Sequence, residues 1–248
     1  MEQTASARGI SRDAVKYLAM GAMLLNHIAN IFLIPGALLY EVFTDLGYVT
    51  AVTMCFFLVE GYGYTRSKRN YALRLLLFAF LSEIPYCLAL TKGAVISFYG
   101  LNMMFTLFLC FLMLLALEQI KNSVVKVFAV ILITFLSTFC DWPLLAPMFT
   151  LLFWWAGQSK RKQKLAFLTA AVLFGLFSFS GRVALFSLPL SLLYALGSMA
   201  GIILAGVCIV YLYNGKRGKW GRNFSKWFFY GFYPVHLLIL GLIRISAL

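Results

Sequence analysis

Apolar residues run through this chain in long stretches, and polar residues collect in the short gaps between them. The stretches are 14–34, 47–65, 72–91, 101–118, 124–140, 143–157, 165–181, 183–213 and 227–246. A helical crossing of a bilayer core needs about 20 apolar residues, fewer where a helix is re-entrant. Each stretch therefore predicts a helix. Together they predict an all-α, polytopic integral membrane bundle of about nine transmembrane helices, a single domain over 1–248 in contact with lipid. Two stretches are irregular. The one at 143–157 is short. The one at 183–213 is long and holds Pro189, Gly197 and Gly201, so it reads either as one broken helix or as two pieces.

Composition closes off the alternatives. Hydrophobic residues make up 62% of the chain and charged residues 12%, against roughly 25% charged in soluble domains. No soluble core of this size hides so much apolar surface. The opening residues are polar (MEQTASARGISRD), and the first apolar stretch has no small-residue cleavage site, so no signal peptide is expected. The five cysteines are scattered along the chain without metal-ligand spacing, which predicts neither a zinc site nor a disulfide framework.

Charge adds orientation. Numbering the gaps alternately, one set holds Arg8, Arg12, Lys16, Arg66, Lys68, Arg69, Arg74, Lys121, Lys126, Lys160, Arg161, Lys162, Lys164, Lys216, Arg217, Lys219, Arg222 and Lys226. The other set holds only Lys92, Arg182 and Arg244. Cytoplasmic loops carry the Lys/Arg excess, so the split predicts a cytoplasmic N-terminus and an exterior C-terminus. The net charge of +13 is read as this bias plus contact with anionic lipid. No soluble basic module points to nucleic acid.

The chemistry rests on a few polar residues inside the apolar stretches. The chain has two histidines, His27 and His236, and both fall within predicted spans. Intramembrane ionisable groups usually face a bundle interior or cavity, and imidazole moves protons near neutral pH. A packing histidine is the competing explanation for each. Lys16 lies eleven residues before His27, about 16 Å along one helix face. Asn26 and Asn30 flank His27, and these two, with Asn102, are the candidate oxyanion donors. Glu83 lies near the middle of the third span and is the expected carboxylate partner of His27 or His236. Glu60 lies near the basic loop and is expected to bridge to Arg66 or Arg69. The loop TRSKRNYALR (Thr65–Arg74) carries Arg66, Lys68, Arg69 and Arg74. It fits a phosphate-rich cytosolic donor such as acyl-CoA, with ordinary topology charge as the plain alternative.

Several segments carry a resemblance. DAVKYLAMGAMLLNHIANIF (Asp13–Phe32), FFLVEGYGYTRSKRNYALRLLLFAFLSEIPY (Phe56–Tyr86), LNMMFTLFL (Leu101–Leu109), the CDW step (Cys140–Trp142) and KWFFYGFYPVHLLIL (Lys226–Leu240) resemble the TraX family, whose founding member is associated with acetylation of the pilin amino terminus. TraX proteins also look like compact relatives of the acyltransferase type 3 proteins. That wider group has Arg, ten residues, then His on its first helix, where this chain has Lys16 and His27. Lys keeps the charge and loses the bidentate fork. An Asp often precedes the His there; here it is Asn26.

The resemblance implies a bacterial inner-membrane enzyme with acetyl-CoA (acyl-CoA) as cytosolic donor and the first-helix His27 as a catalytic residue. It leaves the acceptor open among peptide, glycan and small molecule. The combined expectation is acyl transfer to an amine or hydroxyl, with His27 as general base, Asn26, Glu83 and His236 in support, and Lys16, Arg66, Lys68, Arg69 and Arg74 on the donor. No metal is expected. A proton-coupled secondary transporter and a non-catalytic membrane assembly factor are the rival readings.

Overall fold

A computed structural model describes residues 9–218 and 222–247. Arg8 and Lys219 of the basic set lie outside the described residues. The described chain folds into α1 (Arg12–Phe32), α2 (Leu38–Tyr64), α3 (Lys68–Leu90), α4 (Met103–Gln119), α5 (Ser123–Leu136), α6 (Leu145–Ala156), α7 (Lys160–Arg182), α8 (Leu188–Val207) and α9 (Arg222–Ser246). A 3-10 turn, Ser137–Phe139, ends α5, and a π-helical turn, Cys208–Leu212, ends α8. Every predicted stretch contains a helix.

Among the described residues, five segments are long and apolar enough to cross a membrane: Leu38–Tyr64, Lys68–Leu90, Lys160–Arg182, Leu188–Leu212 and Trp227–Ser246. The remaining expected crossings are weaker by this measure. Met103–Gln119, Ser123–Phe139 and Leu145–Ala156 are apolar but shorter, and α1 carries Lys16, Asn26, His27 and Asn30 within its length.

Two boundaries differ from expectation for physical reasons. Helix α2 begins nine residues before the predicted 47, although Glu41 and Asp45 make its first turns look like a loop. Glu41 is matched by Arg182 of α7, Nη1 to Oε2 2.8 Å, which removes the cost of an unpaired buried charge. The stretch 183–213 holds one continuous helix, Leu188–Leu212, with Pro189 in its first turn, where no N–H partner is lost. Gly197 and Gly201 do not break it. A Cβ at either would run into Asp45 of α2. The GxxxG pair thus lets two membrane helices approach backbone to backbone.

Side-chain and backbone ties gather several of the connections at two ends of the bundle. At the basic end, Arg12 Nε pairs with Glu60 Oε2 at 2.9 Å, and Tyr213 Oη bonds both. Glu60 was expected to meet Arg66 or Arg69; its partner is Arg12, because α1 and the α8–α9 connection close over the end of α2. Residues 212–218 are strapped to the start of α1 by Ile10 N to Leu212 O (2.8 Å), Arg12 N to Lys216 O (2.8 Å) and Gly218 N to Asp13 Oδ2 (3.1 Å). At the opposite end, Leu101 and Cys140 form a short parallel bridge. There Arg244 of α9 donates to the carbonyls of Leu88, Ala94 and Val95. The core is drawn from α1–α4 and α6–α9, while α5 buries no residue.

Candidate active site

Helices α1, α2, α3, α4 and α9 and the turn before α6 enclose a cavity of about 230 Å3. His27 lines it. Helix α9 packs on α3 and α1 and brings His236 behind His27, so that His236 Nε2 and His27 Nδ1 lie 3.1 Å apart. Both rings are buried, at 8% and 5% exposure. The chain thus places its two histidines, 209 residues apart in sequence, in one hydrogen bond.

The backbone decides how the protons are arranged. His236 Nδ1 lies 2.7 Å from the Phe232 carbonyl one turn back, and a carbonyl only accepts. His236 Nδ1 therefore carries a hydrogen, and the Nε2 of the neutral ring holds a lone pair. That lone pair accepts from Nδ1–H of His27. What remains is the Nε2 lone pair of His27. Such a ring can take up a proton at Nε2 and share the resulting positive charge with its neighbour through Nδ1. Phe232 stacks on His236 at 4.7 Å and 14°, which fixes the plane of the second ring.

The asparagines beside His27 serve packing first. Asn26 Nδ2 donates to the Thr44 carbonyl (3.3 Å), and Asn30 Nδ2 donates to the backbone and side-chain oxygens of Asn26 (2.9 and 3.0 Å). A Cβ at Gly47 would fall inside the Asn26 side chain, so glycine there lets α1 and α2 meet. Asn30 has used both amide hydrogens. Asn26 keeps one and lines the cavity.

Glu83 is not brought to either histidine. Its Oε2 accepts from Asn102 N (3.2 Å) and Asn102 Nδ2 (2.7 Å), and its Oε1 accepts from Cys87 Sγ. The place expected for a carboxylate is held by the second histidine. Asn102 is consumed as well, since it caps α4 through Met104 N (2.9 Å) and donates to the Ala79 carbonyl (2.7 Å). The pair fixes the α3–α4 corner. Next to it, Met103 N donates to Tyr233 Oη (3.3 Å), and Tyr233 lines the cavity.

The basic residues divide. Lys16 Nζ lies over the rings of Phe57 (5.4 Å) and Phe229 (5.1 Å), and Phe229 also lines the cavity. Lys16 thus stands between the basic end and the cavity. Lys68 is committed to Glu118 and sits over Tyr62. Arg66 and Arg69 are exposed. Arg74 lies over Tyr71, with its Nε buried and without a hydrogen-bond partner. No group of three or more metal-ligating side chains occurs among the described residues.

Sequence reasoning passed over the far wall. Asp141, in the turn between the 3-10 segment and α6, lines the cavity with Trp142, Lys92 and Tyr99. Its Oδ1 accepts from Trp142 N at 3.0 Å. Burial pushes its carboxyl up to about 6, against the Trp142 N–H, which pulls it down.

The matching region spans almost all of these elements: the TraX protein family profile fits residues 11–244. The chain belongs to the TraX family. A relative from Dichelobacter nodosus, described as a probable fimbrial assembly protein, is 32% identical over 233 residues. That covers 91% of this chain and 92% of the relative. No solved structure matches. Both histidines and Asp141 fall within the TraX match.

Proposed function

We propose that this TraX protein is a membrane acyltransferase that moves an acetyl group from cytosolic acetyl-CoA to an amine or hydroxyl acceptor, with His27 as general base. The observation that carries the reading is the His27–His236 pair at the cavity wall. A packing histidine needs its nitrogens satisfied. Here the second histidine and the Phe232 carbonyl fix the tautomers so that the His27 Nε2 lone pair is left over. That lone pair takes the acceptor proton as the acceptor attacks the thioester carbonyl, and returns it to the departing thiolate. His236 plays the part a carboxylate plays in other histidine bases, orienting the ring and sharing the charge of the imidazolium. The remaining Asn26 amide hydrogen is the donor for the tetrahedral oxyanion.

The basic end faces the cytoplasm in this reading, since it gathers the Lys/Arg excess. The donor enters there and passes Lys16. Arg66, Arg69 and Arg74 hold its phosphates, while Lys68, paired with Glu118, contributes less. The description of the Dichelobacter relative as a probable fimbrial assembly protein suits a pilin-type polypeptide as acceptor. It also suits an assembly factor without catalysis, in which His27 would be dispensable. Purified protein incubated with labelled acetyl-CoA and free-amine peptides separates the two. Thioester-dependent transfer that requires His27 supports the enzyme. Its absence supports the assembly factor.

A further inference from the structure

An amine acceptor poses a problem that one base does not solve. At neutral pH a primary amine is an ammonium, with an α-amino group losing its proton near 8. It must shed one proton before it has a lone pair, and a second as the C–N bond forms. His27 accounts for the second. Of the cavity-lining side chains, only Asp141 is a carboxylate.

Three features make Asp141 a site rather than a loop residue. Among the described residues its carboxylate has no ion pair and one hydrogen bond, from the adjacent Trp142 amide. Its backbone is held on both sides, N donating to the Leu101 carbonyl (2.7 Å) and O accepting from Thr106 Oγ1 (2.6 Å). The turn that follows is strained: Trp142 (φ 57) and Leu144 (φ 61) are non-glycine residues in the left-handed region, a conformation uncommon for bulky side chains. Trp142 is kept there by stacking on Phe174, centroids 5.1 Å and 26° apart, and by the edge of Tyr48. Tyr86 of α3, Tyr233 of α9 and Cys140 surround the carboxylate electrostatically, and His27 and Lys92 share its cavity. An unpaired anion held in place facing a cavity is a receptor for a cation.

Resting on the acyltransferase reading, we propose that Asp141 is a second catalytic residue: it binds the ammonium group of the acceptor and takes the first of its two protons. The carboxylate receives H+ from R–NH3+, giving R–NH2. The amine nitrogen attacks the thioester carbon, the C–N bond forms and the C–S bond breaks. His27 Nε2 takes the second proton and passes it to the thiolate. Asp141 releases its proton to solvent at the end of the cavity away from the basic loops, and one proton is lost overall.

The test uses the purified full chain, labelled acetyl-CoA, a mixed peptide library with free amino termini, and a matched library in which a hydroxyl replaces the amine. Asp141→Asn keeps the oxygen that accepts from Trp142. It is expected to lose about 10²-fold in transfer to amines at pH 7. The deficit should close to within a few-fold at about pH 9.5, where the α-amine is already neutral. Hydroxyl transfer should fall far less than amine transfer at pH 7, and Asp141→Glu should restore much of the amine rate. Asp141→Ser, which also keeps an oxygen, is the second variant and should repeat the pattern. Wild-type-like amine transfer at pH 7, or equal loss for both libraries at all pH values, overturns the proposal while leaving the acyltransferase reading in place. Failure of both Asn and Ser variants to fold makes Asp141 structural and also overturns it. No transfer by wild-type protein to either library removes the acyltransferase reading, and the proposal with it.

Discussion

His236 Nε2 sits 3.1 Å from His27 Nδ1, while its own Nδ1 sits 2.7 Å from the Phe232 carbonyl. The order of donors in that line is set by the last member, which is not able to donate. His236→Gln can still offer an oxygen to His27 Nδ1–H, but it cannot share an imidazolium charge. Transfer by this variant should fall by about 10- to 100-fold, with the loss in kcat rather than KM. His236→Phe, which keeps the stack on Phe232 and removes the acceptor, should fall further. Equal rates for the two variants would mean that the acceptor facing His27 Nδ1–H contributes nothing.

Gly47 and Asn26 define how closely α1 and α2 approach. Gly47→Ala places a methyl group inside the Asn26 side chain, and overpacking of this kind costs about 1–3 kcal/mol. A lower thermal midpoint in detergent is expected, together with reduced transfer because His27 follows Asn26 in sequence. The double variant Gly47→Ala/Asn26→Gly, which removes the Asn26 Cβ that the new methyl group meets, should recover stability and not activity. A neutral Gly47→Ala would show that the helices separate without consequence.

Asp141 is held in a form that disfavours its charge. Its folded carboxyl titrates at about 6, above its unfolded value. The protonated form is therefore preferred by the folded state, and that contribution is present in acid and disappears as pH rises through 6. Asp141→Asn removes the charge. At pH 7.5 the variant should be more stable than wild type, by about 1–2 kcal/mol after allowing for the partial exposure of the site. At pH 4 the two should converge. Thermal scans at both values check the sign, and a destabilised variant at pH 7.5 would contradict it.

The loop after α2 carries the donor prediction. Arg69→Ala/Arg74→Ala should weaken acetyl-CoA binding by about 10-fold or more, since charge-assisted phosphate bonds are worth about 1.5–3 kcal/mol each. Lys68→Ala should do less, because its ammonium is already spent on Glu118. Lys162→Ala in the first turn of α7 is the control. Calorimetric titration decides, and equal affinities throughout would reduce the loop to a topology signal.

The sequence reveals the helices more clearly than their ends. Each apolar stretch holds a helix, yet α2 starts early because Glu41 finds Arg182 from 141 residues away, which no local pattern shows. Gly197 and Gly201 look like breaks and are close contacts, since the helix they meet is remote in sequence. At the site, His27 and His236 are conspicuous singly, as the only histidines; their pairing depends on α9 folding back onto α1. Glu83 is a plausible carboxylate partner by depth alone, but depth does not give azimuth, and its face turns to Asn102. Asp141 lies in a gap and so resembles any loop acid. The available signal was its position between Cys140 and Trp142, an acid flanked by residues that favour burial.

The most direct test of the central claim is acetyl transfer by His27→Ala, made with protein that inserts normally and still binds acetyl-CoA. The account predicts that transfer falls by at least about 10²-fold, that acetyl-CoA affinity is unchanged, and that added imidazole restores part of the rate. Transfer close to wild type by a well-folded His27→Ala protein would contradict it.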